Sequence, residues 1–78
     1  PKLAIEMKLE GKVYIKFFVD KRGQVMRGSI KMIRGNPVFE KAAIDAVANS
    51  EWKPAMQRDM RVGVWMTVVV KFNLEDTQ

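Results

Sequence analysis

The clearest alternation of apolar and other side chains runs from Val62 to Leu74. A period of two predicts a strand that buries one face, and thirteen residues at about 3.3 Å each make a long strand of about 43 Å. The set expected to face the core comprises Val62, Val64, Met66, Val68, Val70, Phe72 and Leu74. The opposite face comprises Gly63, Trp65, Thr67, Val69, Lys71 and Asn73.

A second alternating segment, from Lys12 to Asp20, predicts another half-buried strand. Its core face is expected to carry Val13, Ile15, Phe17 and Val19. The following Asp20-Lys21-Arg22-Gly23 has Asp where a type I turn begins and Gly where a left-handed residue is needed, which predicts a hairpin. We expect the return strand to run from about Gln24 to Arg34, with a bulge or a close backbone approach near Gly28.

The tripeptide Gly35-Asn36-Pro37 predicts the end of that strand and the start of a helix. Asn36 suits the N-cap and Pro37 the first helical position. The helix is expected to reach about Ser50, because Pro54 prevents further helix. Its predicted apolar stripe is Phe39, Ala43 and Val47, widened by Ala42 and Ala46. Residues Ala55 to Arg61 are polar and predict a loop.

The first ten residues fit two patterns. Leu3 and Met7 are four apart, as on one helical face, whereas Leu3, Ile5, Met7 and Leu9 also fit strand alternation. A short helix is the preferred interpretation. The whole chain then predicts an α+β fold in the order helix-strand-strand-helix-strand, with two helices packed on one face of a three-stranded antiparallel sheet.

Composition narrows the classes of function. The 78 residues are 47 % hydrophobic and 29 % charged with a net charge of +5, which suits one small globular domain, residues 1–78. Cysteine and histidine are absent, so thiolate nucleophiles, imidazole bases and Cys/His metal sites are excluded. Scattered carboxylates and the lack of a phosphate-binding Gly-Lys-Ser/Thr loop argue against an enzyme, and we predict no catalytic residue, metal or cofactor. No apolar run is long enough to cross a bilayer, and a chain beginning at Pro1 is expected to be a fragment of a longer one.

The order and spacing of several landmarks resemble the TonB C-terminal domain family over nearly the whole chain. These landmarks are Pro1, Ala4, Gly11 and Val13, the hairpin from Val19 to Val25, the helix residues Gly35, Phe39, Ala42, Ala43 and Val47, Trp52-Lys53-Pro54-Ala55, and the strand from Val62 to Leu74. Two loops depart from the family pattern. Arg58-Asp59-Met60 stands where the family often has a glycine, and Ile33-Arg34-Gly35 where it often has a Ser-Ser-Gly-like turn.

The resemblance implies a non-enzymatic periplasmic adaptor at the end of a chain anchored in the inner membrane. Such a domain captures the TonB box, a short segment of a TonB-dependent outer-membrane transporter. It thereby transmits proton-motive force from an inner-membrane motor of the ExbB/ExbD type, which the missing N-terminal part would contact. The expected transport is import of iron-siderophores or vitamin B12.

The resemblance also places the last strand at an edge of the sheet, where unpaired N–H and C=O groups can template another chain. Strand addition takes its affinity from main-chain hydrogen bonds, so one adaptor can serve several transporters. The predicted peptide-binding edge comprises Val64, Trp65, Met66, Thr67, Val68, Val69, Val70, Lys71 and Phe72. The alternative is a strand that is central or covered by a symmetric partner, as in a structural or self-associating homodimeric domain.

A rival function is nucleic-acid binding. Tyr14, Phe18 and Trp65 would share a sheet face with Lys12, Lys16 and Lys71, as on a base-stacking platform. The Gly- and Phe-rich signature of RNA-binding sheets and their repeated βαβ order are absent, so no nucleic-acid partner is predicted. Trp52 is interpreted as a cover for one end of the core, whereas Trp65 suits a solvent-exposed or a partner-contacting role equally.

Overall fold

The computed structural model describes residues 11–72, which form two antiparallel sheets and a helix. The elements are β1 (Gly11–Val19), a 3-10 turn (Arg27–Ser29), β2 (Lys31–Arg34), a second 3-10 turn (Pro37–Phe39), α1 (Glu40–Ala48), β3 (Ala55–Gln57), β4 (Met60–Val62) and β5 (Val64–Phe72). The main sheet has the order β2-β1-β5, and β3 pairs with β4 in a separate hairpin. The α+β class is therefore confirmed, with a single α-helix in the described part of the chain. The helix predicted over Pro1 to Glu10 lies outside the described residues.

The core is built on the central strand β1. As its alternation predicts, the inward side chains Val13, Ile15, Phe17 and Val19 are fully buried. They meet Phe39, Ala43 and Val47 from the second 3-10 turn and α1, together called the helical segment (residues 37–48), which confirms the predicted stripe. The half-buried side of β5 completes this core with Val64, Met66, Val68, Val70 and Phe72.

The turn after β1 has the predicted chemistry. One carboxylate oxygen of Asp20 accepts hydrogen bonds from the backbone N–H of Arg22 at 2.8 Å and of Gln24 at 3.0 Å. Gly23 has a φ of 82°, a left-handed conformation that other residues adopt at a cost. The backbone N–H of Gly23 also donates to the carbonyl of Asp20 at 2.9 Å, which closes the turn.

The predicted return strand from Gln24 to Arg34 is wrong as a continuous element. After a single bridge between Val19 and Val25 the chain enters the 3-10 turn, and only Lys31–Arg34 forms β2. The hydroxyl of Ser29 accepts the backbone N–H of Phe18 at 2.8 Å. A side chain thus takes the place of a main-chain acceptor in the ladder.

The irregularity in this hairpin also differs from the expected one. Among the described residues no heavy atom lies within 4 Å of a Cβ built on Gly28, so the backbone does not approach closely there. The register instead shifts between Tyr14 and Ile15, which pair with Arg34 and Met32. The extra residue is Ile33, so the bulge lies in β2.

The helix begins as predicted and ends slightly early. The Asn36 side chain accepts the backbone N–H of Val38 at 3.0 Å, with Pro37 in the first turn. That first turn is 3-10, and α1 then ends at Ala48 rather than at Ser50. Ala46 is exposed, so it does not widen the buried stripe as expected.

Two predictions for the last third of the chain are corrected. The expected loop from Ala55 to Arg61 is the β3–β4 hairpin, whose tip residues Arg58 and Asp59 have φ angles of 50° and 66°, the signs of a type I′ turn. The expected continuous strand from Val62 to Leu74 is divided at Gly63, and Leu74 lies outside the described residues. The chain changes partner there because β1 ends at Val19, opposite Val64, so Val62 pairs with Ala55 instead.

Candidate functional site

Strand β5 forms one edge of the main sheet. It pairs with β1 along its whole length, from Val64 opposite Val19 to Phe72 opposite Gly11. Within residues 11–72 no strand pairs with its other side. An uncovered edge of nine residues exceeds the usual strand length of about five or six, and it offers a long template for a further strand.

The direction of the amides along β1 follows from the hydrogen bonds of Phe18. Its N–H donates to Ser29 and its C=O accepts the N–H of Met26, so both groups point toward the β2 side. Successive residues of a strand direct these groups to opposite sides. Val13, Ile15, Phe17 and Val19 therefore direct theirs toward β5.

The same alternation assigns the amides of β5. Some residues of β5 lie opposite the β1 residues whose N–H and C=O point toward β5, and each such pair exchanges hydrogen bonds. These β5 residues are Val64, Met66, Val68, Val70 and Phe72. The intervening residues direct N–H and C=O away from β1, toward the open edge; these are Trp65, Thr67, Val69 and Lys71. Of the site residues predicted from the sequence, this second group has main-chain groups that no strand within residues 11–72 bonds.

The opposite edge is a poorer template. Strand β2 has four residues, contains the bulge at Ile33, and is preceded by the 3-10 turn Arg27–Ser29. Short length and bulges are features that blunt an edge against pairing. Strand addition is consequently favoured at β5 over β2.

Trp65 lies on the solvent side of β5 and is held by its neighbours. Its side chain is 56 % exposed, and its ring meets Phe18 edge-on with centroids 5.3 Å apart. The ammonium of Lys16 lies 5.3 Å from the indole centroid, within cation–π range. Trp65 thus offers a large, partly fixed apolar surface beside the open edge.

Trp52 has the structural role expected for it. Its ring packs on Phe17 with a centroid distance of 5.1 Å, and its backbone N–H donates to the Gly23 carbonyl at 3.2 Å. Its indole nitrogen is buried with no hydrogen-bond partner among the described residues. Trp52 therefore joins the segment after α1 to the core and to the turn after β1.

The face of the sheet that points away from α1 is called the open face. Its cross-strand pairs are Lys12–Lys71, Tyr14–Val69, Lys16–Thr67 and Phe18–Trp65, together with Arg34 opposite Tyr14 and Lys31 opposite Lys16. The sequence placed the aromatic residues and three of these lysines on one face, and the structure brings them together. The structure also places Lys31 and Arg34 on this face. Alternation did not predict this, because the bulge at Ile33 changes which face of the sheet the residues on either side of it occupy.

The described residues lack two other features. No three side chains capable of binding a metal ion come together among residues 11–72. No helix in that range is long and apolar enough to cross a membrane.

Comparison with known protein families gives a match over most of the chain. The model of the family described as Gram-negative bacterial TonB protein C-terminal matches residues 1–74. A search of curated proteins finds no significant match.

Proposed function

This chain belongs to the family of Gram-negative bacterial TonB protein C-terminal domains, and we propose on that basis that β5 binds the TonB box of an outer-membrane transporter by strand addition. The family is a transport-associated adaptor of the Gram-negative envelope and is not an enzyme family. In the proposed role the domain is periplasmic, is carried by a chain anchored in the inner membrane, and works with an ExbB/ExbD-type motor. The energy so transmitted would import iron-siderophores or vitamin B12.

The observation that supports this function best is the set of outward main-chain groups on β5. Trp65, Thr67, Val69 and Lys71 each present an N–H and a C=O to the open edge. Each hydrogen bond made there contributes about 0.5–1.5 kcal/mol net. A docked peptide of a few residues would therefore bind mainly through its backbone, with little demand on its sequence.

The same geometry suits the transmission of force. Hydrogen bonds between antiparallel strands run perpendicular to the strand axis. A pull directed along β5 would therefore load the bonds to a docked strand together rather than one after another. The stacked rings of Phe39 and Phe72, 4.6 Å apart, tie the end of β5 to the helical segment, so that load would pass into the core.

Titration with a synthetic TonB-box peptide, followed by backbone amide NMR, tests the proposal. We expect the largest shifts at the amides of Trp65, Thr67, Val69 and Lys71, because their N–H groups would gain a hydrogen bond. The amides of Met66 and Val68 should shift less, since they already bond β1. Shifts centred on β2 instead would contradict the proposed edge.

A pair of proline variants sharpens the test, because proline removes one N–H donor. Thr67→Pro removes an outward N–H, so the fold should survive while peptide affinity falls about fivefold or more. The matched Val68→Pro removes an N–H bonded to β1 and should unfold the domain. If both variants unfold, or if peptide affinity is unchanged in folded Thr67→Pro, β5 is not the docking strand.

Self-association through the same edge is the competing use of β5. Sedimentation velocity over a range of concentrations distinguishes it. A homodimer that persists in the presence of saturating peptide would show that a second copy, rather than the peptide, occupies the edge.

A further inference from the structure

Within residues 11–72 the open face carries positive charge that no carboxylate on the sheet balances. Lys12, Lys16, Lys31, Arg34 and Lys71 all lie on it, and no carboxylate occurs anywhere on β1, β2 or β5. Within residues 11–72 the acidic side chains lie on turns, loops and α1: Asp20, Glu40, Asp45, Glu51 and Asp59. The cations of this face therefore have no carboxylate partner on the sheet itself.

Apolar side chains are interleaved with these cations. On the open face Trp65 is 56 % and Val69 45 % exposed. Tryptophan prefers the level of lipid headgroups, where one end of the ring is apolar and the other wet. A face with both exposed apolar groups and several lysines matches the composition of surfaces that bind at a membrane interface.

We propose that the open face rests on an anionic phospholipid surface, with the cations contacting headgroup phosphates and Trp65 entering the interfacial layer. The family places the chain in an envelope bounded by membranes, and clustered Lys and Arg bind anionic lipid at a surface. This inference does not depend on peptide binding at β5.

The packing of the rings favours lipid over nucleic acid as the occupant. Base stacking needs uncovered ring faces. Here Arg34 lies over the ring of Tyr14 at 5.8 Å, and Lys16 lies over that of Trp65 at 5.3 Å. Trp65 in turn meets Phe18 at an interplanar angle of 69°, so the aromatic rings do not form a flat platform.

Co-sedimentation of the 78-residue chain with vesicles tests the proposal. Vesicles of equal parts phosphatidylglycerol and phosphatidylcholine should bind it, and vesicles of phosphatidylcholine alone should not. Raising the ionic strength from about 0.1 M to about 1 M should release it, because the Debye length falls from about 10 Å to about 3 Å. Trp emission should shift to shorter wavelength on binding in the wild-type chain, and not in Trp65→Phe.

Charge variants provide the matched control. Each unit of charge on the face is worth about fivefold in affinity, so Lys16→Gln should weaken vesicle binding about fivefold and Lys16→Glu, which changes two units, about 25-fold. Lys41→Glu makes the same change in net charge at an exposed position on α1 and should change binding less than about threefold. Circular dichroism verifies that each variant is folded.

Three results would overturn the proposal. The first is equal binding to neutral and anionic vesicles, and the second is an equal loss in Lys16→Glu and Lys41→Glu. The third is an oligonucleotide that binds more tightly than anionic vesicles at physiological salt and loses affinity in Lys16→Glu, which would assign the face to nucleic acid. None of these results would alter peptide binding at β5, so the two proposals fail separately.

Discussion

At the scale of single residues, the turn after β1 determines where the edge strand begins. Asp20 accepts two backbone N–H groups, and Gly23 takes the left-handed conformation that closes the turn. Because β1 ends at Val19, the first residue of β5 that pairs with β1 is Val64. A local turn thus determines the residue at which the free edge begins.

Gly23→Ala tests this dependence. A Cβ at Gly23 would collide with the Trp52 carbonyl oxygen and lie 3.3 Å from Cδ of Pro54, at a φ of 82°. We expect the variant to lower the free energy of unfolding by more than about 1 kcal/mol, measured by urea denaturation.

Gly28→Ala is the matched control for that change. No heavy atom of the described chain lies within 4 Å of its added Cβ, and its φ is outside the left-handed region. It should be neutral or stabilise the protein by up to about 1 kcal/mol. Similar losses at the two glycines would show that the turn conformation is not the cause.

At the scale of elements, the helical segment covers one face of the sheet and leaves the β5 edge uncovered. Ala43 is fully buried against the core, and its small side chain lets α1 approach β1 closely. Phe39 stacks on Phe72 at an interplanar angle of 9°. The helical segment therefore supports the end of β5 from the core side.

Paired leucine substitutions on α1 test the phase of the helix. Ala43→Leu should overpack the contact with the sheet and lower the free energy of unfolding by about 1–3 kcal/mol. The matched Ala46→Leu lies on the exposed side and should change it by less than about 0.5 kcal/mol. Thermal and urea denaturation would check both, and equal effects would mean that the helix faces the sheet differently.

At the scale of the whole molecule, one strand contributes to two surfaces that face different directions. Trp65, Thr67, Val69 and Lys71 direct their amides sideways from the sheet, and their side chains lie on the open face. A strand added at the edge would lie in the plane of the sheet, whereas a lipid surface would lie parallel to it. The two proposed partners can therefore bind at the same time.

Independence of the two surfaces is itself testable. Lys16→Glu should leave the affinity for a TonB-box peptide within about twofold, because Lys16 is on the central strand and touches β5 through its side chain, over the Trp65 ring, and not through the outward main-chain groups. Thr67→Pro should weaken the peptide and retain binding to anionic vesicles, since every cation of the open face remains. Isothermal titration and vesicle co-sedimentation on the same preparations would show this, and parallel losses would mean that peptide and lipid share one site.

Features that depend on neighbours along the chain could be predicted from the amino-acid sequence. Alternation predicted both faces of β1 and β5, Asp20 and Gly23 predicted the turn, and Asn36 predicted the start of the helix, because each follows from local backbone preferences. The order of these landmarks also resembled the family that the match over residues 1–74 confirms.

Features that depend on partners distant in sequence became visible in the folded structure. Alternation continues through Gly63, so the division between β4 and β5 follows from where β1 ends and not from periodicity. The interruption before β2 depends on the hydrogen bond from Phe18 to Ser29, and the bulge at Ile33 sets the phase of Lys31 and Arg34. The direction of each β5 amide likewise follows from its pairing with β1. Periodicity assigns the side chains of a strand to two faces of the sheet, but it does not show which side of the strand is left unpaired.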